Sequence, residues 1–315
     1  MERRAGFFRT RPEEVKAGRL YEYISSRRYK WNVKKMCKVL KVSESGYYKS
    51  LKPKRRPKRR ELLLVKIKEI ISRYPDNDNY GAKRVHIDLR QQGEKVSYPT
   101  VYRIMRDNDL LQKKKRHPNG ITKEDREAQK AENILQRDFT ADEPNTKWLT
   151  DITEISCYDG KLYLAAVLDC FDSQIVGAAM DDNMRKELAV GAFDDACSRT
   201  GARDMLCHSD RGSQYTSGAF RDALAARGAT QSMSGTGKCY DNAKMESFFA
   251  TLKKEKLYKF DTRKWRMADV RTIIFRYIFV YYNRQRIHTS NPGGWPPDVI
   301  RRSYYEGRSS NAKTA

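Results

Sequence analysis

Three acidic residues, each set in a segment that is otherwise apolar or sharply turned, constrain the second half of this chain more than any other feature. They are Asp151 in Trp148-Leu149-Thr150-Asp151-Ile152-Thr153, Asp210 in His208-Ser209-Asp210-Arg211-Gly212, and Glu246 in Asp241-Asn242-Ala243-Lys244-Met245-Glu246-Ser247-Phe248-Phe249. Asp151 interrupts the apolar run Lys147 to Ser156, where a charge among Trp148, Ile152 and Ile155 is costly without a partner or a metal. Asp210 follows the short run Met205-Leu206-Cys207, and α/β sheets gather their sites just beyond a strand's carboxyl end. Glu246 borders a helical stripe of Met245, Phe248, Phe249 and Leu252, which aims it at the sheet edge and away from solvent. Three carboxylates that converge repel one another unless divalent cations lie between them, and two-metal phosphoryl transfer uses such a cluster. Magnesium prefers oxygen ligands, so Mg²⁺ is the expected cofactor, two ions per site, with Mn²⁺ able to substitute. With 40 acids in 315 residues, spacing alone arises by chance, and the surrounding motifs must carry the argument.

The pattern around these acids predicts the fold class: α/β, a ribonuclease H-like mixed sheet as catalytic core, preceded by helical helix-turn-helix modules. Lys147 to Ser156, Leu162 to Leu168 and Ile175 to Met180 read as a three-stranded antiparallel meander, with Asp159-Gly160 as a two-residue hairpin turn and Asp172-Ser173 as the second turn. Helix and strand then alternate: a helix near Lys186 to Ser198, a strand at Met205 to Cys207, a helix near Ser217 to Arg227 and a strand near Thr230 to Met233. Ser234-Gly235-Thr236-Gly237-Lys238 looks like a phosphate loop, but it lacks the first glycine and has Cys239 where Ser or Thr belongs. It reads as a mobile loop before the Glu246 helix, not as a nucleotide site.

Charge divides the chain. The net charge is +24 overall, and residues 1–140 carry 38 Lys and Arg against 18 Asp and Glu, leaving 26 against 22 for the rest. Such a basic half suits the phosphate backbone of DNA; the alternative is a well-solvated surface. Within it, Val33, Met36, Val39 and Leu40 have helical spacing and Ser43 can cap a second short helix, a weak helix-turn-helix signal. Lys52 to Arg60 then places seven cations and two prolines in nine residues, which cannot pack a core. Lys54, Arg55, Arg56, Lys58, Arg59 and Arg60 are candidate DNA contacts, against the alternative of an ordinary charged linker. A second three-helix module follows, with Leu62, Leu63, Val65, Ile67 and Ile70 on its first helix, a break at Pro75, Val85 and Leu89 on its second, and a stop at Gly93. Ser97 and Pro99 open its third helix, where Val101, Ile104 and Met105 face inward. Thr100, Tyr102, Arg103 and Arg106 face outward, as side chains of a recognition helix in a major groove would; a solvated face is the alternative.

The expected organisation is a helix-turn-helix-like DNA-binding segment at 1–51, a basic linker at 52–60, a second such module at 61–111, a basic and polar connecting helix at 112–143, an integrase-like catalytic core at 144–262 and a C-terminal helix and tail at 263–315. No apolar stretch approaches the ~20 residues of a membrane span. Ile273 to Tyr282 contains Arg276 and reads as a buried helix, and the N-terminus has no apolar signal region, so a cytoplasmic location is expected. The six cysteines at 37, 157, 170, 197, 207 and 239 show no paired spacing and the four histidines are scattered, which argues against a disulfide framework or a zinc module.

At the three acids the chain resembles the bacterial insertion-sequence transposases of OrfB type, whose core is similar to that of retroviral integrases. The shared motifs are W-x-x-D-I-T, H-S-D-x-G-x-Q-Y-x-S and D-N-A-x-x-E-S-F-F, with Lys253 seven residues after the Glu. Tyr282-Asn283-Arg284-Gln285-Arg286-Ile287-His288 resembles the family's Y-N-x-x-R-P-H, with Ile287 where Pro is usual, and Asn291 to Pro297 departs from the usual L-G-Y-x-T-P. The resemblance implies that Asp151, Asp210 and Glu246 are the catalytic and metal-binding acids of a DDE enzyme. It implies cleavage and strand transfer at inverted-repeat ends of a mobile element, through a circular DNA intermediate. Lys253, two helical turns from Glu246, could hold a terminal phosphate; the alternative is a solvated lysine in a Lys-rich run. Double-stranded DNA, as transposon ends and target, is the expected partner, with a homo-oligomer on DNA, association with the nucleoid when bound, and an upstream-frame product as a further partner. The rival reading is a DNA-binding regulator or end-occluding fragment that does not cut. The basic N-terminal modules disfavour a general ribonuclease H.

Overall fold

The computed structural model of the protein describes residues 17–51, 58–112, 138–234 and 242–312. The basic stretch at 113–116, the connecting helix expected up to 137, the loop at 235–241 and the cations Lys54, Arg55 and Arg56 lie outside the described residues. The chain forms two compact units, residues 1–63 and 64–315.

Up to Leu51, the described residues of the first unit form three helices where the sequence pattern predicts two: α1 (Ala17–Arg27), α2 (Val33–Val39) and α3 (Glu44–Leu51). Leu20 and Ile24 of α1 close a small core over Cys37, Leu40 and Tyr47. Asn32 caps α2 by accepting from the Lys35 N–H, and Ser43 Oγ accepts from the Gly46 N–H at 3.0 Å, the capping its position predicts. Gly46 leaves room for the Tyr21 hydroxyl, which a Cβ there would meet at 2.2 Å and have to displace.

In the second unit, α4 (Arg59–Ser72, begun in the first), α5 (Ala82–Gln91) and α6 (Tyr98–Asp107) form the helical module. Ile67, Ile70, Val85, Leu89, Val101, Ile104 and Met105 are buried, as their spacing predicts. The break between α4 and α5 is a 3-10 turn, Pro75–Asn79, and Gly93 leaves α5 at φ 83°.

The segment expected to form the catalytic core is a five-stranded sheet in the order β3-β2-β1-β4-β5, built from β1 (Lys147–Cys157), β2 (Gly160–Asp169), β3 (Ile175–Asp181), β4 (Leu206–Ser209) and β5 (Thr230–Met233). The first three strands pair antiparallel as a meander. β4 and β5 run parallel to β1, each reached through a helix, α7 (Lys186–Thr200) and α8 (Gly218–Ala225), as parallel pairing requires. These helices pack Phe193, Ala196, Phe220 and Leu224 against Trp148, Val167 and Cys207. Gly177 lets α7 approach β3 closely, since a Cβ there would meet the Ala192 carbonyl at 2.4 Å.

Two local expectations are corrected. The first hairpin turns on Tyr158-Asp159, not Asp159-Gly160, with Gly160 paired to Cys157. The reason is tertiary: Asp159 Oδ1 accepts the Met267 N–H at 2.8 Å, at the start of α10 (Met267–Arg276). The chain past 263 is also more than a helix and tail. α10 runs into a π-helical stretch, Tyr277–Tyr282, and α11 (Pro297–Ala312) follows. Between them Asn283 acts as a surrogate strand on β3, accepting from the Ile175 N–H and donating to its carbonyl, which covers a sheet edge.

Candidate active site

The sheet brings the first two acids together. β1 and β4 pair in parallel with Leu149 opposite His208; two residues further along each chain stand Asp151 and Asp210, close enough for the charge of Asp210 to act on Asp151. Asp151 is half-buried on β1 and Asp210 lies exposed just past the carboxyl end of β4. The remaining motif residues hold this pairing in place. His208, fully buried, bonds Ser232 Oγ at 2.8 Å and Ser234 Oγ at 3.1 Å, tying β4 to β5. The Tyr215 hydroxyl, also buried, bonds that of Thr150 at 3.1 Å, beside Asp151. The Gly212 N–H donates to Asp210 Oδ1 at 3.0 Å, and Ser217 caps α8 through the Phe220 N–H.

The third acid arrives on α9 (Ala243–Glu255), whose buried stripe is Met245, Phe248, Phe249 and Leu252 as predicted. Asn242, at its start, donates to the Thr150 carbonyl at 3.3 Å, and Lys244 Nζ donates to the carbonyls of Phe139 and Cys170. The helix is thereby fastened to β1 one residue before Asp151. Glu246 borders the buried stripe, but it is exposed, which corrects the expectation that it points away from solvent: it opens onto the mouth of the site. Its charge nevertheless acts on Asp151. Burial first, then the charge of Asp210 and that of Glu246, push the Asp151 carboxyl up to about 7, against the Ile152 N–H and Lys253. Among the described residues no three acidic, His or Cys side chains meet at metal-ligand distance.

Lys253 is half-buried rather than solvated. Burial lowers its pKa, while Asp151 and Glu154 act to raise it. The DNA-contact candidates are placed more simply. Lys58, Arg59 and Arg60 are exposed at the start of α4, and Tyr102, Arg103 and Arg106 are exposed on α6. Thr100 is half-buried and shares a hydrogen bond with Ser97; Arg106 pairs with Asp107 at 2.9 Å.

A buried ionic cluster at the far end of α9 escaped the sequence reading. Glu255 accepts from Arg286 Nε and Nη2, each at 2.8 Å, and from the Tyr277 hydroxyl at 2.9 Å, and it pairs with Arg84 of α5 at 2.8 Å. Burial alone would raise its pKa, but the hydrogen bonds and charge of Arg286, the charge of Arg84 and the Tyr277 hydroxyl hold it down at about 2. Around it Lys256 pairs with buried Asp76, Asn79 donates to the Glu255 carbonyl and the Tyr281 hydroxyl donates to the Asp76 carbonyl. The helical module is thus docked on the end of the helix that carries Glu246. The signal was present: Glu255 continues the stripe three residues past Leu252, hidden in a Lys-rich run.

Known proteins agree with this architecture. Residues 141–239 and 227–296 each match an Integrase core domain family, and residues 58–118 match the HTH-like domain. The chain is 36% identical over 276 residues to the insertion element IS600 uncharacterized 31 kDa protein of Shigella sonnei, covering 86% of this chain and 99% of the relative. It is 34% identical over 283 residues to transposase InsF for insertion sequence IS3A of Escherichia coli K12, covering 88% and 96%. Among solved structures it is similar to the HTLV-2 integrase catalytic core in complex with magnesium, at 17% identity and a TM-score of 0.40, over 50% of this chain and 97% of that one. With relatives matched almost end to end, the chain belongs to the IS3-type insertion-sequence transposases, DDE polynucleotidyl transferases that pair an integrase core with an HTH-like domain.

Proposed function

We propose that Asp151, Asp210 and Glu246 are the catalytic acids, acting on the inverted-repeat ends of a mobile element and then on target DNA. The observation that carries this reading is the parallel register that sets Asp151 beside Asp210, with α9 fastened to the Thr150 carbonyl next door. Three hard carboxylate donors around one mouth, with negative charge in excess at Asp151, fit Mg²⁺. When bound there, Mg²⁺ would polarise the scissile phosphate and offset the charge developing on it. The chain's own part is to hold the acids in reach of one phosphate and to keep a cation, Lys253, at the side of Asp151. Arg103, Tyr102 and Arg106 of α6, Thr100 at its edge, and the cations from Lys54 to Arg60 would engage the duplex. Two ions per site, Mn²⁺ substitution, a homo-oligomer on DNA and an upstream-frame partner belong to the same proposal.

The test is nicking of a labelled duplex that ends in the element's inverted repeat, by this chain alone, with Mg²⁺, with Mn²⁺ and with chelator. Metal-dependent nicking next to the repeat supports the reading. Tight binding without nicking under any of these conditions favours the regulator instead.

A further inference from the structure

Beyond the three acids, Lys253 forms one wall of a cavity of about 550 Å³ whose other lining residues include Glu154 of β1, Tyr258, Lys259, Phe260 and Arg263. Its volume falls in the range of pockets that enclose a small ligand. Most of its charges are already neutralised within the protein. Glu154 pairs with Lys161, Arg263 with Asp261, and Lys259 with Asp76 and Asp78. Lys253 makes no direct ion pair among the described residues, and its charge acts on both Asp151 and Glu154. The cavity therefore offers, near the candidate catalytic acid, a cation that makes no direct ion pair among the described residues. It also offers aromatic surface: Tyr258 is 53% exposed, and Phe260 packs on Trp265, itself 44% exposed, with ring centroids 5.5 Å apart. Exposed rings beside a cation are the chemistry that holds unpaired bases, which stack on aromatic faces while cations take the backbone.

We propose that this cavity takes an unpaired deoxynucleotide adjoining the scissile phosphate, its base stacked on Tyr258 and Phe260 and its phosphate at Lys253. The inference rests on the reading of Asp151, Asp210 and Glu246 as the catalytic acids. Stacking of that base more than offsets the loss of its pairing, so the DNA end opens by one nucleotide at the site where it is cut.

Two measurements on the full chain test this. In the first, the cutting rate is measured on the intact end and on ends in which each nucleotide flanking the scissile phosphate is in turn an abasic analogue, for wild type, Tyr258→Ala and Tyr258→Phe. At one position the wild type should slow roughly tenfold when the base is removed, about the effect of one base stacked on a ring. Tyr258→Ala should slow roughly tenfold on the intact end and no further on that abasic end, while Tyr258→Phe cuts like wild type. Losses that multiply at every position, or wild-type cutting by Tyr258→Ala, overturn the proposal. The second measurement uses Asp210→Asn, bound to an end carrying 5-iododeoxyuridine at that nucleotide and irradiated. Adducts on Tyr258 or Phe260 support the pocket, and adducts confined to other residues overturn it. A wild type that cuts no end at all contradicts the catalytic reading instead, and the crosslink then still decides whether the cavity holds a base.

Discussion

Asp151 on β1 and Asp210, just past the end of β4, each lie two residues beyond the paired Leu149 and His208 of these parallel strands. A one-residue slip of β1 would turn Asp151 to the opposite face and carry it away from the end of β4, so whatever holds the register also holds the site. Much of that work falls to buried hydroxyls and an imidazole, not to the acids themselves.

Tyr215→Phe tests this most simply. The change keeps the ring packed against Phe220 and removes only the bond to Thr150. It should cost about 1 kcal/mol, a fall in Tm of roughly 2–4 °C, with cutting slowed and DNA affinity unchanged. An unaltered melting curve would show that the Thr150 bond contributes nothing to the strand pair.

Glu255→Ala leaves Arg286 and Arg84 buried or half-buried without their acid. Breaking such a buried pair costs roughly 3–5 kcal/mol, and a melting curve close to wild type would contradict the docking role assigned to Glu255. The same cluster makes the fold acid-sensitive. Glu255 is held at about 2 in the folded protein, so its contribution is present above its ordinary value and lost as pH falls through that range toward 2. His288, driven down to about 3, chiefly by burial and the Arg286 charge, acts in the same direction: stability is full above the ordinary histidine value and declines as pH falls below it. Denaturant midpoints measured between pH 7 and pH 3 should therefore fall steadily, and a flat profile would rule out both contributions.

Ile287 donates its N–H to the Tyr80 hydroxyl at 2.9 Å, a bond that proline in its place could not make. Ile287→Pro should destabilise by about 1–3 kcal/mol through the missing donor. Tyr80→Phe should cost less in that background than in the wild type. Equal costs in the two backgrounds would mean that the bond does not couple the C-terminal segment to the helical module.

Lys58, Arg59 and Arg60 are exposed cations at the start of α4. Replacing all three by Ala should weaken duplex binding and flatten its salt dependence, by about one unit of slope for each phosphate that is no longer neutralised. A slope equal to that of wild type would leave these residues as a solvated helix start.

Several features were legible in the sequence because they depend on local chemistry. Alternation and turn residues gave the meander, periodicity gave α9 and α6, and a Ser at the right place gave the cap of α3. What stayed hidden depends on distant partners. Asp159 moved the hairpin turn by one residue because Met267, far along the chain, takes its carboxylate. Helix α1 was missed because Leu20 and Ile24 are too sparse to mark a stripe without the Cys37 and Tyr47 they cover. The motif from Tyr282 to His288 was visible as a motif, but its work was not: Asn283 pairs with the Ile175 backbone and Arg286 with Glu255, pairings that periodicity does not encode. Glu246 was placed on the correct helix and given too little solvent, because a stripe fixes which side of a helix is buried but not how wide the neighbouring cleft stands.

The most direct measurement replaces the acids one at a time, Asp151→Asn, Asp210→Asn and Glu246→Gln, and follows Mg²⁺-dependent nicking and joining of a labelled transposon end beside a mobility shift and a melting curve. Each change removes one charge and nearly preserves shape. Each should abolish cutting and joining, since groups acting as a unit fail together, while DNA binding and folding persist, with stability unchanged or slightly raised by the relief of carboxylate repulsion. If any one of the three cuts at close to the wild-type rate, that residue is not part of the catalytic centre and the account built on Asp151, Asp210 and Glu246 is wrong.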